Sequence, residues 1–98
     1  MPAFDSYTGF EWDKGNLDKN YKKHGITPSE AEETFLDEHA VVVSDVKHSD
    51  KEIRHVLIGQ TGEEKTLFIV FTIRKTNIRI ISARRANRKE KMKYEQDI

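Results

Sequence analysis

The sequence predicts an α+β domain in which two N-terminal helices precede a four-stranded antiparallel sheet and a C-terminal helix. Three observations predict this class. Helix-start signals occur in the first third of the chain, four short apolar runs bounded by turn residues follow them, and a charged segment with a helix-start signal lies at the end. The 98 residues contain no internal repeat and no linker, so we expect residues 1–98 to form a single domain.

Local signals mark the elements of the N-terminal part. We expect a short strand at Phe10–Trp12, directly ahead of the two helices. Asp13 can accept the first amide hydrogens of a helix that runs to about His24, where a glycine follows and stops it. Thr27 begins the second helix, because a proline and then a glutamate follow it in the order of a capping box. This helix is expected to end near Asp37.

The chain then changes to the short apolar runs that are typical of strands. We predict strands at Ala40–Ser44, Ile53–Thr61, Thr66–Arg74 and Ile78–Ala83. The connections are short, which favours an antiparallel meander, and Gly62 is expected to adopt a positive φ in one of the turns. The third and fourth strands are almost continuously apolar, so both faces of the sheet should be covered.

The last predicted element is a charged helix that opens at Asn87 and runs to about Gln96. Met92 and Tyr94 are two residues apart and cannot lie on one face of a helix, so its apolar face is weak. We therefore expect that this helix either packs lightly on the domain or is completed by a partner.

The composition argues against several classes of protein. No stretch approaches the roughly 20 apolar residues that cross a bilayer, and the chain begins without the basic and apolar segments of a signal peptide. There is no cysteine, no HExxH pattern and no phosphate-cradling glycine loop. We therefore expect a cytoplasmic protein that contacts no membrane and uses no metal and no cofactor.

The formal net charge of zero conceals an asymmetry. Residues 1–52 carry 12 acidic and 6 basic side chains, a balance of −6, whereas residues 53–98 carry 5 acidic and 11 basic side chains, a balance of +6. A basic half can attract phosphate backbones locally, although a solvated charged surface is the commoner reason for such a run.

The basic side chains concentrate around the last predicted strand. Arg74 ends the preceding strand, and the tight turn after it should bring Arg74 and Arg79 close enough to share an anion. A half-buried arginine needs such a partner, and its planar fork matches phosphate or carboxylate oxygens. Strict alternation along the strand predicts that Arg79 and Arg85 lie on one face and Arg84 on the other. A second basic group lies at the far end of this strand and beyond it: Arg84, Arg85, Arg88 and Lys89.

Several groups of residues occur in an order that is specific when they are taken together. They are Phe10–Asp13 with Asn16, Lys23–Ile26, Glu30–Ala31 with Phe35–Asp37, His48–Ser49 with Glu52, Arg54 and Gly59, and Arg79–Ala86 with Glu90 and Tyr94. The combination of FEWD, KHG and RIISARRA resembles the signature of the BrnT family of toxins. The resemblance runs from about Phe10 to Glu95. The residues before Phe10 exceed the usual start of that family, and we interpret residues 1–9 as an extended arm.

This resemblance implies a RelE-like fold and a ribonuclease toxin of a type II toxin–antitoxin system that cleaves RNA and arrests growth. It also implies neutralisation by a BrnA-type DNA-binding antitoxin, a heterotetramer of two toxins and two antitoxins, and contact with DNA only through the antitoxin. Carried over by position, the catalytic candidates are Arg84, Arg85, Arg79, Arg54, Lys23 and His24. The candidates for RNA binding are Arg74, Arg88, Lys89, Trp12 and Tyr94.

A metal-independent ribonuclease must activate the 2′-hydroxyl, stabilise the extra charge on the phosphorane and protonate the leaving oxygen. Arginines suit the second task. His55 lies mid-strand, where a structural role is more common, and Trp12 is more commonly a core or interface residue than a base-stacking one. Lys23 and His24 would equally suit the C-terminal end of a helix. The candidates for the two proton transfers are Lys23, His24, His48, Glu52, His55 and Tyr94.

Two alternatives to a ribonuclease stay open at the level of sequence. The first is a catalytically inactive, toxin-like binding module that acts with its partner as a transcriptional co-repressor, which the lack of an unmistakable general base favours. The second is a repressor that binds DNA directly, which the basic segment alone favours. The last helix is rich in lysine and lacks the pattern of base-contacting side chains that a reading helix needs.

Overall fold

The computed structural model describes residues 9–12, 25–45 and 52–96. The expected first helix, with Lys23 and His24 at its end, lies outside these residues, as do His48 and all but the last residue of the expected arm. Eight elements are described: β1 (Gly9–Trp12), α1 (Pro28–Glu33), a 3₁₀ turn (Thr34–Leu36), β2 (Val41–Asp45), β3 (Arg54–Gln60), β4 (Thr66–Arg74), β5 (Asn77–Arg85) and α2 (Arg88–Gln96).

The strands form one five-stranded sheet in the order β1-β5-β4-β3-β2. Strands β2 to β5 are antiparallel neighbours, which confirms the predicted meander. The expectation of four strands, all antiparallel, was wrong, because β1 adds a fifth strand that runs parallel to β5 and pairs Glu11 with Arg79. The sequence indicated the strand at Phe10–Trp12 but not its neighbour, since a parallel pairing joins segments far apart in the chain.

The start of α1 is the capping box that the sequence predicted. The Thr27 hydroxyl accepts the Glu30 amide hydrogen at 3.2 Å, and the Glu30 carboxylate accepts the Thr27 amide hydrogen at 3.0 Å. The α-helix ends at Glu33 and tightens into the 3₁₀ turn, which ends one residue before Asp37. Local chemistry therefore fixes this element, because two of the orphan amides at its start are satisfied by side chains three residues apart.

Both faces of the sheet are covered, as the apolar strands predicted. The α1 face carries the larger core, in which Phe35 packs edge-on against Phe71 with ring centroids 5.0 Å apart. The opposite α2 face carries a smaller core in which Val56 and Ile58 pack with Tyr94 of α2. The two helices therefore lie on opposite sides of the same sheet.

The last helix makes the weak apolar contact that its sequence predicted. Tyr94 is only 2 % exposed, whereas Met92 is 51 % exposed. Asn87 opens α2 with a second capping box, in which Asn87 and Glu90 exchange hydrogen bonds of 2.9 Å. In the described parts of the chain, no helix is long and apolar enough to cross a membrane.

A bulge in β5 changes which side chains share a face. Val70 pairs with Ser82 but the next residue, Phe71, pairs with Ile80, so Ile81 is an extra residue on β5. The alternation predicted for this strand is therefore wrong beyond Ile81. Arg79 pairs with Thr72, and Arg84 pairs with Phe68. Phe68 and Val70 pack on the α2 face. Thr72 follows them at a spacing of two, so Arg79 and Arg84 lie on this same face.

Arg85 pairs with Leu67, a residue of the larger core, and therefore lies on the α1 face instead of beside Arg79.

The turns differ from the prediction in one detail. Positive φ values occur at Glu64 (65°) and Lys75 (56°), and the expectation of one at Gly62 was wrong. Gly62 serves a close approach instead, because its amide donates to Glu33 Oε1 at 2.9 Å and a Cβ would meet that oxygen at 3.1 Å. A strand pattern alone does not reveal such a contact with another element.

Candidate functional site

Three of the predicted arginines meet at one end of the sheet, where β3 begins, β4 ends and β5 begins. Thr72 organises this corner: it is 3 % exposed, and its hydroxyl donates to the Ile53 carbonyl at 2.8 Å. Thr72 also pairs with Arg79 across the β4–β5 ladder. We call Arg54, Arg74 and Arg79 the arginine cluster.

Arg74 holds the carboxylate of Glu52. Its Nε donates to the two carboxylate oxygens at 3.1 and 3.0 Å, and Nη2 donates to Oε1. These hydrogen bonds lower the pKa of the Glu52 carboxyl, and the positive charges of Arg74, Arg79 and Arg54 lower it further. One carboxylate therefore lies within the electrostatic influence of all three arginines.

Arg79 lies beside a second carboxylate. Its Nη1 is 3.7 Å from Glu11 Oε1, and Oε2 of Glu11 accepts a hydrogen bond from Asn77 Nδ2 at 2.8 Å. Strand β1 delivers Glu11 to this position through its parallel pairing with β5. Arg74 and Arg79 therefore lie beside two different carboxylates of the chain itself, and the expectation that they share one anion stays a prediction.

Arg84 is held in a different way. Its guanidinium makes two parallel hydrogen bonds to Glu90, at 2.8 and 2.7 Å, and lies 4.0 Å from the centre of the Phe68 ring. Burial alone raises the pKa of the Glu90 carboxyl, but hydrogen bonds from Arg84 and Asn87 outweigh it and lower the pKa. The same hydrogen bonds raise the pKa of Arg84. Arg84 therefore joins the end of β5 to the first turn of α2.

The remaining basic candidates lie at the opposite end of β5 from the arginine cluster. Arg85, Arg88 and Lys89 are all exposed. The structure therefore separates two basic groups, as the sequence predicted, and places the exposed group around the start of α2.

Tyr94 is a buried contact between α2 and the connection before β2. Its hydroxyl donates to Asp37 Oδ2 at 2.6 Å. Asp37 also accepts the Gln60 amide at 2.8 Å and the His39 amide at 3.0 Å. Burial raises the pKa of the Asp37 carboxyl, but these hydrogen bonds more than compensate and lower it. The pKa of Tyr94 is raised, first by burial and then by Asp37, so its phenol is poorly suited to lose a proton.

Trp12 and His55 have the structural surroundings that the sequence favoured for them. Trp12 Nε1 donates to Glu32 at 3.0 Å, and its ring packs against the larger core. The His55 ring lies 5.3 Å from the Phe71 ring, on the α1 face. Neither residue lies with the arginine cluster, and a role for Trp12 in RNA binding stays a prediction.

The sequence missed the two carboxylates among the arginines. Glu52 stood among the candidates for proton transfer, but nothing local indicated that it contacts Arg74, 22 residues away. Glu11 is 66 residues from Asn77, and only the parallel pairing of β1 brings the two together. Only the pairing of β1 with β5 would have predicted that Glu11 lies beside Arg79, since strand pairing fixes which residues are neighbours across the sheet.

Comparison with known families decides what kind of protein carries this site. Residues 12–90 match the model of the family described as "Ribonuclease toxin, BrnT, of type II toxin-antitoxin system". The chain belongs to the BrnT family. The matched segment contains the arginine cluster, Glu52 and the basic group at the start of α2, whereas Tyr94 lies beyond it.

A solved BrnT structure has the same fold. The ribonuclease toxin BrnT of Brucella abortus, determined by crystallography, shares 21 % sequence identity with this chain. The match covers 83 % of this chain and 99 % of that one, with a TM-score of 0.63. A search of curated proteins found no match. This BrnT-family chain is therefore a toxin of the ribonuclease type by family and has the BrnT fold by structure.

Proposed function

We propose that this BrnT-family toxin cleaves RNA and that the arginine cluster binds the phosphate at the cleavage position. The observation that carries the proposal is the convergence of Arg54, Arg74 and Arg79 at one accessible corner of the sheet. Arginine forks match phosphate oxygens, and their charge stabilises the extra negative charge that develops on the phosphorane. The side chains of Arg74 and Arg79 are 46 % and 24 % exposed, which leaves their guanidinium groups within reach of a strand of RNA.

The reaction we propose needs no metal. The 2′-hydroxyl attacks the adjacent phosphorus and loses its proton to a base, while the 5′-oxygen leaves and takes a proton from an acid. Lys23 and His24 remain the candidates for these transfers from the family signature. Both residues lie outside the described residues, and we propose that they lie close to the arginine cluster.

The basic group around α2 is proposed to bind the RNA backbone away from the cleavage position. Arg85, Arg88 and Lys89 are exposed, and positively charged side chains of this kind suit contacts to successive phosphates. Arg84 is proposed to act indirectly, since its hydrogen bonds to Glu90 hold the start of α2 where these side chains are displayed.

A toxin of a type II system has an antitoxin partner, and we propose that it is a BrnA-type DNA-binding protein. In this proposal two toxins and two antitoxins assemble in the cytoplasm, and the toxin contacts DNA only through the antitoxin. Because α2 has a weak apolar face and an exposed Met92, it offers a surface against which such a partner can pack.

The experiment is an RNA cleavage assay with purified, antitoxin-free protein in buffer that contains EDTA. We expect cleavage of an RNA oligonucleotide, with products that end in a cyclic or 3′-phosphate, and none of the same oligonucleotide with 2′-deoxyribose at every position. Cleavage that requires an added divalent cation would contradict the metal-free mechanism. Folded protein that binds RNA but cleaves none, with metal or without it, would favour the inactive binding module instead.

A further inference from the structure

We propose that Glu52 acts as an internal stand-in for an RNA phosphate, which occupies the arginine cluster in the free toxin and is displaced by the backbone of the substrate. The inference rests on the proposed function, because it concerns the same arginine cluster. It adds a regulatory element to it: the anion site is closed by the chain's own carboxylate until RNA competes for it.

The first support is the edge of Arg74 that Glu52 uses. The carboxylate contacts Nε and Nη2, which together form one side of the planar guanidinium. That side is one of the two edges of a guanidinium that bind a phosphate or a carboxylate through two parallel hydrogen bonds. A phosphate cannot use the same edge while Glu52 is bound, so binding of RNA there requires Glu52 to leave.

The second support is that the ion pair which holds the Glu52 carboxylate is exposed. It precedes β3, and its side chain is 39 % exposed while that of Arg74 is 46 % exposed. Ion pairs this exposed contribute little net stability and exchange readily. The backbone beside it is fixed, because the Ile53 carbonyl accepts a hydrogen bond from the buried Thr72. The carboxylate can therefore swing out without moving the strand that carries Arg54.

The ion pair between Arg84 and Glu90 provides the contrast within the same sheet. The Glu90 side chain is 16 % exposed, and its carboxylate also caps the first turn of α2 by accepting the Asn87 amide. Removal of Glu90 from Arg84 would therefore open a helix cap as well. Glu52 caps neither of the two described α-helices and lies under the electrostatic influence of three arginines, which is the arrangement of a replaceable counter-ion.

A role for Glu52 as the general base is the main competing interpretation. Three neighbouring positive charges stabilise the carboxylate and make it a poor proton acceptor, since its pKa is held below the usual value. The two roles also predict different results when the charge is removed. Loss of a base abolishes cleavage and leaves binding unchanged, whereas loss of a competing anion strengthens binding.

The test compares Glu52→Gln with the unaltered toxin and with Glu63→Gln, which removes the same charge from an exposed side chain in the β3–β4 turn at the opposite end of β3. The probe is a fluorescent RNA oligonucleotide with 2′-O-methyl groups, which cannot be cleaved, and affinity is measured by anisotropy over a range of salt concentrations. We expect Glu52→Gln to bind about three- to tenfold more tightly than Glu63→Gln, as its cluster gains an unopposed cation. The plot of log affinity against log salt should steepen by about 0.7, the value for one more phosphate contact on a single strand.

A double-variant comparison links the effect to Arg74. In an Arg74→Gln background Glu52→Gln should no longer raise the affinity for RNA, because the guanidinium that Glu52 occupies is absent. Equal affinity and equal salt dependence of Glu52→Gln and Glu63→Gln would overturn the inference and leave the proposed function standing. Loss of cleavage by Glu52→Gln at unchanged RNA affinity would assign it as the base and would likewise overturn the inference. Failure of all forms to bind RNA would overturn both.

Discussion

Arg79 and Arg84 lie on the same strand and the same face of the sheet, yet their partners give them different capacities. Arg79 approaches Glu11 at 3.7 Å, a separation longer than a hydrogen bond, whereas Arg84 makes two short parallel hydrogen bonds to Glu90 and covers the Phe68 ring. The main role of Arg84 is therefore structural, since its guanidinium is held by Glu90 and by the Phe68 ring. Arg79 lies in the arginine cluster, where we place the phosphate, whereas Arg84 lies at the other end of β5.

Replacement of Arg84 by alanine should therefore destabilise the protein. It leaves the Glu90 carboxylate without its partner and removes the contact with Phe68, which together should cost about 1–2 kcal/mol after allowance for the partial exposure of the pair. Urea unfolding at neutral pH measures this. Arg85→Ala is the matched control, since Arg85 is exposed and should change the free energy of unfolding by less than about 0.5 kcal/mol. Equal effects of the two substitutions would contradict the structural role of Arg84.

The hydrogen bond from Tyr94 to Asp37 gives a prediction that depends on pH. Because the pKa of Asp37 is lower in the folded protein than in the unfolded chain, the ionised carboxylate contributes stability above the unfolded value of about 3.9. That contribution is lost as the pH falls through the folded pKa. Tyr94→Phe should destabilise the protein by about 1 kcal/mol at pH 7. The difference from the unaltered protein should shrink below about pH 4.

Thermal or urea unfolding of both forms between pH 2.5 and 7 measures this dependence. A difference between the two proteins that stays constant over that interval would show that the Tyr94 hydroxyl does not stabilise the ionised form of Asp37.

At the scale of elements, β3 lies so close to the 3₁₀ turn that one of its residues has no room for a side chain. A Cβ at Gly59 would lie 3.0 Å from Leu57 Cδ2, 3.1 Å from the Thr34 carbonyl oxygen and 3.2 Å from Ala40 Cβ. The Thr34 oxygen belongs to the backbone and cannot rotate away. This contact fixes the distance between the sheet and the connection that leads into β2.

Gly59→Ala should therefore push β3 away from this connection and destabilise the fold by about 1–3 kcal/mol, the range for overpacked sites. Gly9→Ala is the control, because the nearest atom to a Cβ there is 3.8 Å away, an ordinary contact. The measurement is the midpoint of thermal unfolding. If Gly59→Ala is as stable as Gly9→Ala, the close packing of β3 against the 3₁₀ turn is incorrect.

The elements differ in how far the sequence predicts them, for a physical reason. The capping box of α1, the start of α2 at Asn87 and the strands β3 and β4 follow from residues close together in the chain, and all were predicted. The pairing of β1 with β5 and the bulge at Ile81 depend on which segments meet across the sheet. Local patterns of side chains do not contain that information.

The same distinction applies to the candidate site. Arg74 and Arg79 flank a tight turn, so their convergence was predictable from spacing. Their carboxylate partners, Glu52 and Glu11, come from other parts of the chain and were not predicted as partners. The bulge then placed Arg79 and Arg84 on one face, although regular alternation separates them.

At the scale of the whole molecule, the sheet keeps its two basic groups at opposite ends. The arginine cluster lies beside acidic side chains from the N-terminal half, Glu11 and Glu52, whereas Arg85, Arg88 and Lys89 around the start of α2 are exposed. A chain with zero formal charge can therefore present two basic areas to RNA. We propose that the arginine cluster positions the phosphate that reacts and that the basic group around α2 binds the rest of the RNA strand.

The most direct test of this account is the rate of RNA cleavage by Arg79→Gln, compared with Lys93→Gln as a control that removes one positive charge from α2. We expect Arg79→Gln to lower the rate at saturating RNA by about 100-fold or more, the usual effect of losing a group that stabilises charge in the transition state. Lys93→Gln should stay within about threefold, because Lys93 is exposed on α2 and the loss of one charge there weakens RNA binding at most, which saturating RNA offsets. Both variants must unfold at the same urea concentration as the unaltered protein. Equal rates for the two variants would contradict the assignment of the arginine cluster as the site of cleavage.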